Sequence, residues 1–200
     1  VTSRLDVLVV AVNDAGTAYI YVRVLDAVTG SPIVPWASLF QGSAPQMAVV
    51  GEEVMLFTRD GANIKCTPIQ PDRDPLDWIA MTTTPITDLH ASATGFCVAS
   101  AAGGAIVAYR SATATTVKHG YVDPSGALNG ALISESTGAE ASAVACAVES
   151  TTGQFSVMWA TSGGVSARMY TAARSAMFAA VSVGAYTSVV QLSGVCGSST

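Results

Sequence analysis

Charge is what this 200-residue sequence has least of. Asp, Glu, Lys and Arg together make up 12% of it, about half of the roughly 25% usual for a soluble domain. Only Lys65 and Lys118 are lysines, and the net charge is −5. Phosphate-neutralising surfaces are built from clustered Lys and Arg, so tight nucleic-acid binding is not expected. Histidine is scarcer still, with only His90 and His119. The close Cys and His pairs of a zinc site are missing, and so is any G-x-S-x-G turn. Long apolar runs are absent too: the most hydrophobic stretch, Ser175 to Val195, is interrupted by Ser, Gly and Thr and alternates as strands do, which excludes a membrane-spanning helix. The sequence opens on Val1 without an initiator Met, and Asp6 falls early in its first apolar run. The expectation is a processed chain or an excised segment without a secretory signal.

What is abundant is Ala, Ser, Thr, Gly and Val, with 50% hydrophobic residues in all. A chain so poor in charge is expected to have much of its surface covered by neighbours. Its order emerges on sliding it against itself. The stretch "EVMLFTRDGANIKCTPIQ" (53 to 70) aligns with "AIVAYRSATATTVKHGYVD" (105 to 123) and with "QFSVMWATSGGVSARMYT" (154 to 171), each an apolar strand, a turn of small residues and a second strand. Phe57, Tyr109 and Trp159 recur on the first strand of these hairpins, and Ile64, Val117 and Val165 open the second, at steps of 48 to 53 residues. An earlier copy is "DVLVVAVNDAGTAYIYVRVLD" (6 to 26). Adding the strands before and after each hairpin predicts an all-β, β-propeller-like array of four-stranded antiparallel blades, about 50 residues per repeat, with a β-sandwich or β-solenoid as the alternative.

One propeller-type domain over 1–200 is expected, with repeats at about 1–41 (partial), 42–86, 87–138, 139–185 and 186–200 (partial). Either the last strand closes a small ring on the first blade or the chain is an arc of a larger propeller; the opening at Val1 favours the arc. Cys97, Cys146 and Cys196 stand 49 and 50 residues apart and share one slot on the first strand of successive blades, which Met47 fills in an older copy. Free buried thiols are the expectation there, ahead of a disulfide or a metal site.

Four groups of residues could carry chemistry. Asp72, Asp74 and Asp77 in "PDRDPLDW" lack the Gly and the terminal Glu of a calcium loop, so a solvated proline-flanked loop is expected. His119 reads as an outward residue beside Lys118 and Tyr121, and nothing selects either histidine as catalytic. A sialic-acid glycosidase would use several arginines, an acid and a Glu-assisted Tyr; Arg59, Arg110, Arg168, Glu149, Tyr109 and Tyr170 are available. Yet Arg59 matches Arg110 and Tyr121 matches Tyr170 between copies, and a repeated residue serves the repeat. No catalytic, metal or cofactor-binding residue is therefore assigned, and no enzyme is expected. Carbohydrate binding asks only for aromatic platforms on loops, for which Trp36 and Trp78 are the candidates, Trp159 being a core residue.

The segments "VMLFTRDGANIKCTPIQP" and "ATGFCVASAAGGAIVAYRSATATTVKHGYVDPSGALNG" resemble the propeller blades of tail nozzle proteins, the tubular tail components of short-tailed bacteriophages, over about residues 45 to 185. That resemblance implies a structural module of a virion tail without catalytic residues, in a homo-oligomer of six copies around a channel, with other tail or adaptor subunits as partners and a host glycan as an alternative ligand. The chain departs from the family in having no recognisable channel-forming domain.

Overall fold

The computed structural model describes residues 7–50, 53–90, 95–113 and 115–186. Its strands form four antiparallel sheets in sequence order. The first holds β1 (Val7–Asp14), β2 (Tyr19–Asp26) and β3 (Pro32–Gln41). The second holds β4 (Ser43–Val50), β5 (Glu53–Asp60), β6 (Asn63–Ile69) and β7 (Thr83–Ile86), with a one-turn-and-a-half helix, α1 (Pro75–Ala80), before β7. The third holds β8 (Phe96–Ala101), β9 (Gly104–Arg110), β10 (Thr116–Val122) and β11 (Ile133–Ser136), and the fourth β12 (Ala143–Val148), β13 (Phe155–Thr161), β14 (Gly164–Tyr170) and β15 (Val181–Gly184). Each is a meander in which consecutive strands pair, as the repeat predicts. The strand predicted at 188–197, with Cys196, lies outside the described residues.

Local chemistry explains the pairing. In the second sheet Asp60 pairs with Asn63 around Gly61, whose φ of 60° is the left-handed geometry that a two-residue hairpin turn requires. In the third, Gly104 pairs with Ala101, and a Cβ on it would stand 2.5 Å from the Val122 carbonyl oxygen and inside the Tyr121 ring. Only hydrogen fits there. The helix α1 replaces the expected loop because Asp74 caps it, its Oδ1 accepting from the Leu76 N–H at 2.8 Å, while Pro75 supplies a pre-set φ at the first helical position. None of the described helices is long and apolar enough to cross a membrane.

Three apolar clusters sit between successive sheets. Val9, Ile20, Val22 and Val24 of the first meet Leu56, Ile69 and Trp78 of the second. Met55, Phe57, Ile64 and Cys66 of the second meet Phe96, Val107 and Tyr109 of the third. Ile106, Ala108 and Val117 of the third meet Cys146, Val157, Trp159 and Tyr170 of the fourth. The second and third sheets are thus covered on both faces, the arrangement of blades in a propeller. The first strands run side by side from sheet to sheet, β1 against β4, β4 against β8 and β8 against β12, so the blades converge on that side.

Covering both faces corrects three expectations. His119 does not point outward: it is fully buried on β10, pressed against rings of the fourth sheet. Phe57 and Tyr109 do not fill one slot either, since they face each other across the joint between the second and third sheets, whereas Tyr109 and Trp159 both face back towards the preceding sheet. The cysteine slot divides in the same way. Cys97 packs into the cluster it shares with the fourth sheet, and Cys146 looks back at it from β12. Where both sides of a strand are apolar, alternation fixes the strand but leaves its facing open.

Candidate functional site

The joints between blades hold two polar clusters built on one plan. In each, a carboxylate from the end of one sheet meets a Tyr hydroxyl and a cation of the next. Asp88 follows β7 and accepts from Tyr109 Oη at 2.5 Å, Ser111 Oγ at 3.0 Å and Lys118 Nζ at 2.5 Å. Burial raises its pKa, but the bonds from Lys118, Tyr109 and Ser111 outweigh that and hold it below the usual carboxylate value. One joint further on, Glu135 of β11 accepts from Arg168 Nη1 at 2.8 Å and from the Tyr170 hydroxyl, both on β14. Burial, then the facing carboxylate, pushes each Tyr pKa well above its ordinary value. A phenol so protected stays protonated and acts as a donor.

His119 lies beside the second cluster, its ring centroid 4.4 Å from that of Tyr170 and 5.5 Å from that of Phe155. Neither ring nitrogen has a hydrogen-bond partner among the described residues. Burial drives its pKa down from 6.5 to about 4, with Arg174 and Arg168 adding to the fall and Glu135 opposing it. The neutral ring is a packing element. His90 is elsewhere, its Nδ1 2.6 Å from Arg110 Nη2. The two histidines are not brought together.

The glycosidase residues are dispersed in the same manner. Arg59 donates through Nε to Gly61 O at 3.0 Å in its own hairpin, Arg110 donates to Ala141 O at 2.7 Å and pairs with Glu140 at 2.8 Å, and Arg168 is held by Glu135. Glu149 closes a turn, accepting from Thr151 N at 2.8 Å, Thr152 N at 2.6 Å and the Thr152 hydroxyl; that hydroxyl leads in holding its pKa down at about 2. A carboxyl so acidic cannot serve as a general acid near neutrality. A Tyr–Glu–Arg set does exist, but it is Tyr170, Glu135 and Arg168, and its Tyr and Glu are buried between blades. In the sequence Glu135 and Asp88 look like ordinary loop and edge carboxylates; only the tyrosines one blade onward mark them.

Among the described residues no group of three or more His, Cys, Asp or Glu is placed to hold a metal ion. Asp74, from the acidic triplet, is the helix cap described above. Of the two aromatic candidates, Trp78 is 0% exposed, with Nε1 donating to Gln70 O at 2.8 Å, so it presents no ring face at the surface. Trp36 on β3 is 48% exposed, and the Arg23 guanidinium stands 5.9 Å from its ring centroid. Tyr21, two residues from Arg23 on β2 and so on the same face, lies with its ring 6.5 Å from that of Tyr19. The outward face of the first sheet is therefore aromatic and apolar, with Leu8 and Val12 of β1 also exposed.

No protein-family model matches the chain, and no curated protein does. Solved structures do. The Hsv2 protein of Kluyveromyces lactis is similar over 82% of this chain and 47% of its own, with a TM-score of 0.50 and 10% identity. A quinoprotein alcohol dehydrogenase-like protein of Bacteroides thetaiotaomicron is similar over 84% of this chain and 44% of its own, with a TM-score of 0.53 and 11% identity. The chain spans less than half the length of either. At such identities the likeness concerns the fold alone, and the fold is that of a β-propeller module.

Proposed function

We propose that this chain is a non-catalytic propeller module of a bacteriophage virion tail, a rigid body that holds neighbouring tail subunits in register. The observation that carries the reading is the pair of exposed apolar faces on the first and last of the described sheets. The first sheet exposes Leu8, Val12 and Trp36 on the side away from its core, and the last sheet exposes Val181 and Val183 on β15 with Met177 and Phe178 beside them. Grouped apolar residues of this kind are the mark of a contact surface. The blade joints between them are pinned by the Asp88 and Glu135 clusters, whose bonds to charged groups contribute about 1.5–3 kcal/mol each. The resemblance of the repeat to tail nozzle blades supports the virion setting, and the low charge suits a body packed among copies of itself. The expected partners are further copies of the chain in a ring and adjoining tail or adaptor proteins. Co-sedimentation of the protein with intact particles, and a ring of identical copies in native mass spectrometry, are the expected results. A protein that stays monomeric at high concentration and is absent from particles overturns the proposal. Leu8→Lys and Val12→Lys should weaken assembly while leaving the circular dichroism spectrum unchanged.

A second reading, a carbohydrate-binding propeller, is favoured by the aromatic face of Trp36, Arg23 and Tyr21, since sugar rings stack on exposed aromatics. It requires that Trp36→Ala abolish binding on a glycan array. An array silent towards the native protein removes it.

A further inference from the structure

Within the apolar joint between the third and fourth sheets, one pair of thiols lies closer than packing alone requires. Cys97 Sγ on β8 and Cys146 Sγ on β12 lie 2.7 Å apart. The Cys146 backbone N–H donates to Cys97 Sγ, also at 2.7 Å. Both cysteines are free, Cys146 is almost wholly buried, and Cys97 is part-exposed. The approach follows from the fold: β8 and β12 are first strands, on the side where blades converge, and the two side chains face one another across the joint. That contact is longer than the roughly 2.05 Å of a covalent sulfur–sulfur bond by less than an ångström.

We propose that Cys97 and Cys146 form a reversible inter-blade disulfide, written by a small hydroperoxide acting on Cys97. The Cys97 thiolate attacks the distal oxygen of the peroxide. The O–O bond breaks, leaving Cys97 as a sulfenic acid and releasing alkoxide or hydroxide, which water protonates. Cys146 sulfur then attacks Cys97 sulfur, the S–O bond breaks, and the departing hydroxide takes the Cys146 thiol proton to leave as water. Two thiols are oxidised and one peroxide is reduced. The division of labour is set by position: Cys97 is the part-exposed residue of the pair, accepts the Cys146 N–H and shares a hydrogen bond with its thiol, while Cys146 is sealed in the joint and resolves. Those same bonds lower the Cys97 pKa, whereas burial raises that of Cys146. Cys66 is the contrast: buried, its thiol pushed up to about 12 by burial and then by Asp123, it should stay inert.

The test uses the folded protein treated with hydrogen peroxide, then unfolded and alkylated without reductant. The expected product has two fewer alkylatable thiols and has lost two hydrogens, and trypsin yields residues 74–110 joined to 119–168. Reduction should separate them. In Cys146→Ala, a small-for-small change, the reaction should stop at Cys97 sulfenic acid, which dimedone traps on peptide 74–110. The cross-link should also raise the thermal midpoint of the native protein by several degrees and leave that of Cys146→Ala unchanged. Retention of every alkylatable thiol after peroxide, or a link from either peptide to residues 66–73 or 175–200 in place of the expected one, overturns the proposal.

Discussion

Acidifying the protein from neutrality should destabilise it through His119 before most carboxylates titrate. In the unfolded chain this imidazole charges near 6.5, whereas in the fold burial delays charging until about 4. Between those values the unfolded state binds the extra proton and the folded state does not, so stability rises with pH across the window. The contribution is complete above 6.5 and is lost as the pH falls towards 4. One pH unit inside the window is worth up to about 1.4 kcal/mol, and the whole of it about 3 kcal/mol, a large part of a usual total of about 5–15 kcal/mol. His119→Leu removes the titration together with two nitrogens that lack partners among the described residues. An unmade bond on a buried polar group costs about 1–3 kcal/mol, so the variant should equal or exceed the native protein above 6.5. Urea unfolding followed by tryptophan fluorescence reads this directly, because Trp78 and Trp159 are both buried. The native midpoint should fall between pH 6.5 and 4 more steeply than that of His119→Leu. Parallel curves, or a variant less stable by more than about 1 kcal/mol above 6.5, would refute the reasoning, because the ring would then be partnered or already charged.

Three further outcomes can be read in the same unfolding assay. Trp78→Ala should cost about 3–5 kcal/mol, as the loss of a fully buried indole does, whereas Trp36→Ala on the exposed face should change stability by no more than about 0.5 kcal/mol. Gly104→Ala should destabilise by about 1–3 kcal/mol or more, because the new Cβ meets the Val122 carbonyl and the Tyr121 ring, and near-native stability would mean β9 has room to shift. Glu135→Gln and Tyr170→Phe should each cost about 1–3 kcal/mol, yet their double variant should cost less than the sum; strict additivity would show that the hydroxyl and the carboxylate do not act together.

The repeat was legible because hairpin chemistry is local. Alternation, the small-residue turns and the spacing of Ile64, Val117 and Val165 located the paired strands of three sheets without any knowledge of the tertiary structure. Facing was not local. In a sheet apolar on both sides, a shift of one residue moves a side chain from one neighbour to the other without changing the pattern's appearance, and this is how Cys97 and Cys146, nearly equivalent in spacing, came to confront each other. The same ambiguity lets the pattern read His119 as outward, whereas the fold sets it among aromatic rings. Trp78 departs from expectation for a different reason: a cap of one Asp and one Pro folds six residues into a helix too short to leave a period, and the indole of that helix is buried. Asp88 and Glu135 gave no local signal at all, since their meaning lies in tyrosines and cations 21 to 35 residues further along the chain.

The convergence of the first strands carries a geometric consequence. Where β8 meets β12 the gap is filled by thiols and methyl groups, Cys97 and Ala99 against Val144 and Cys146, while aromatic rings fill the wider reaches behind them. Units this thin at the hub and thick at the rim behave as tapered staves, whose taper sets how sharply the stack bends. Bulk added at the hub would straighten the curve and require more staves to complete a turn, so the girth of any assembly containing this chain is written largely in its smallest side chains.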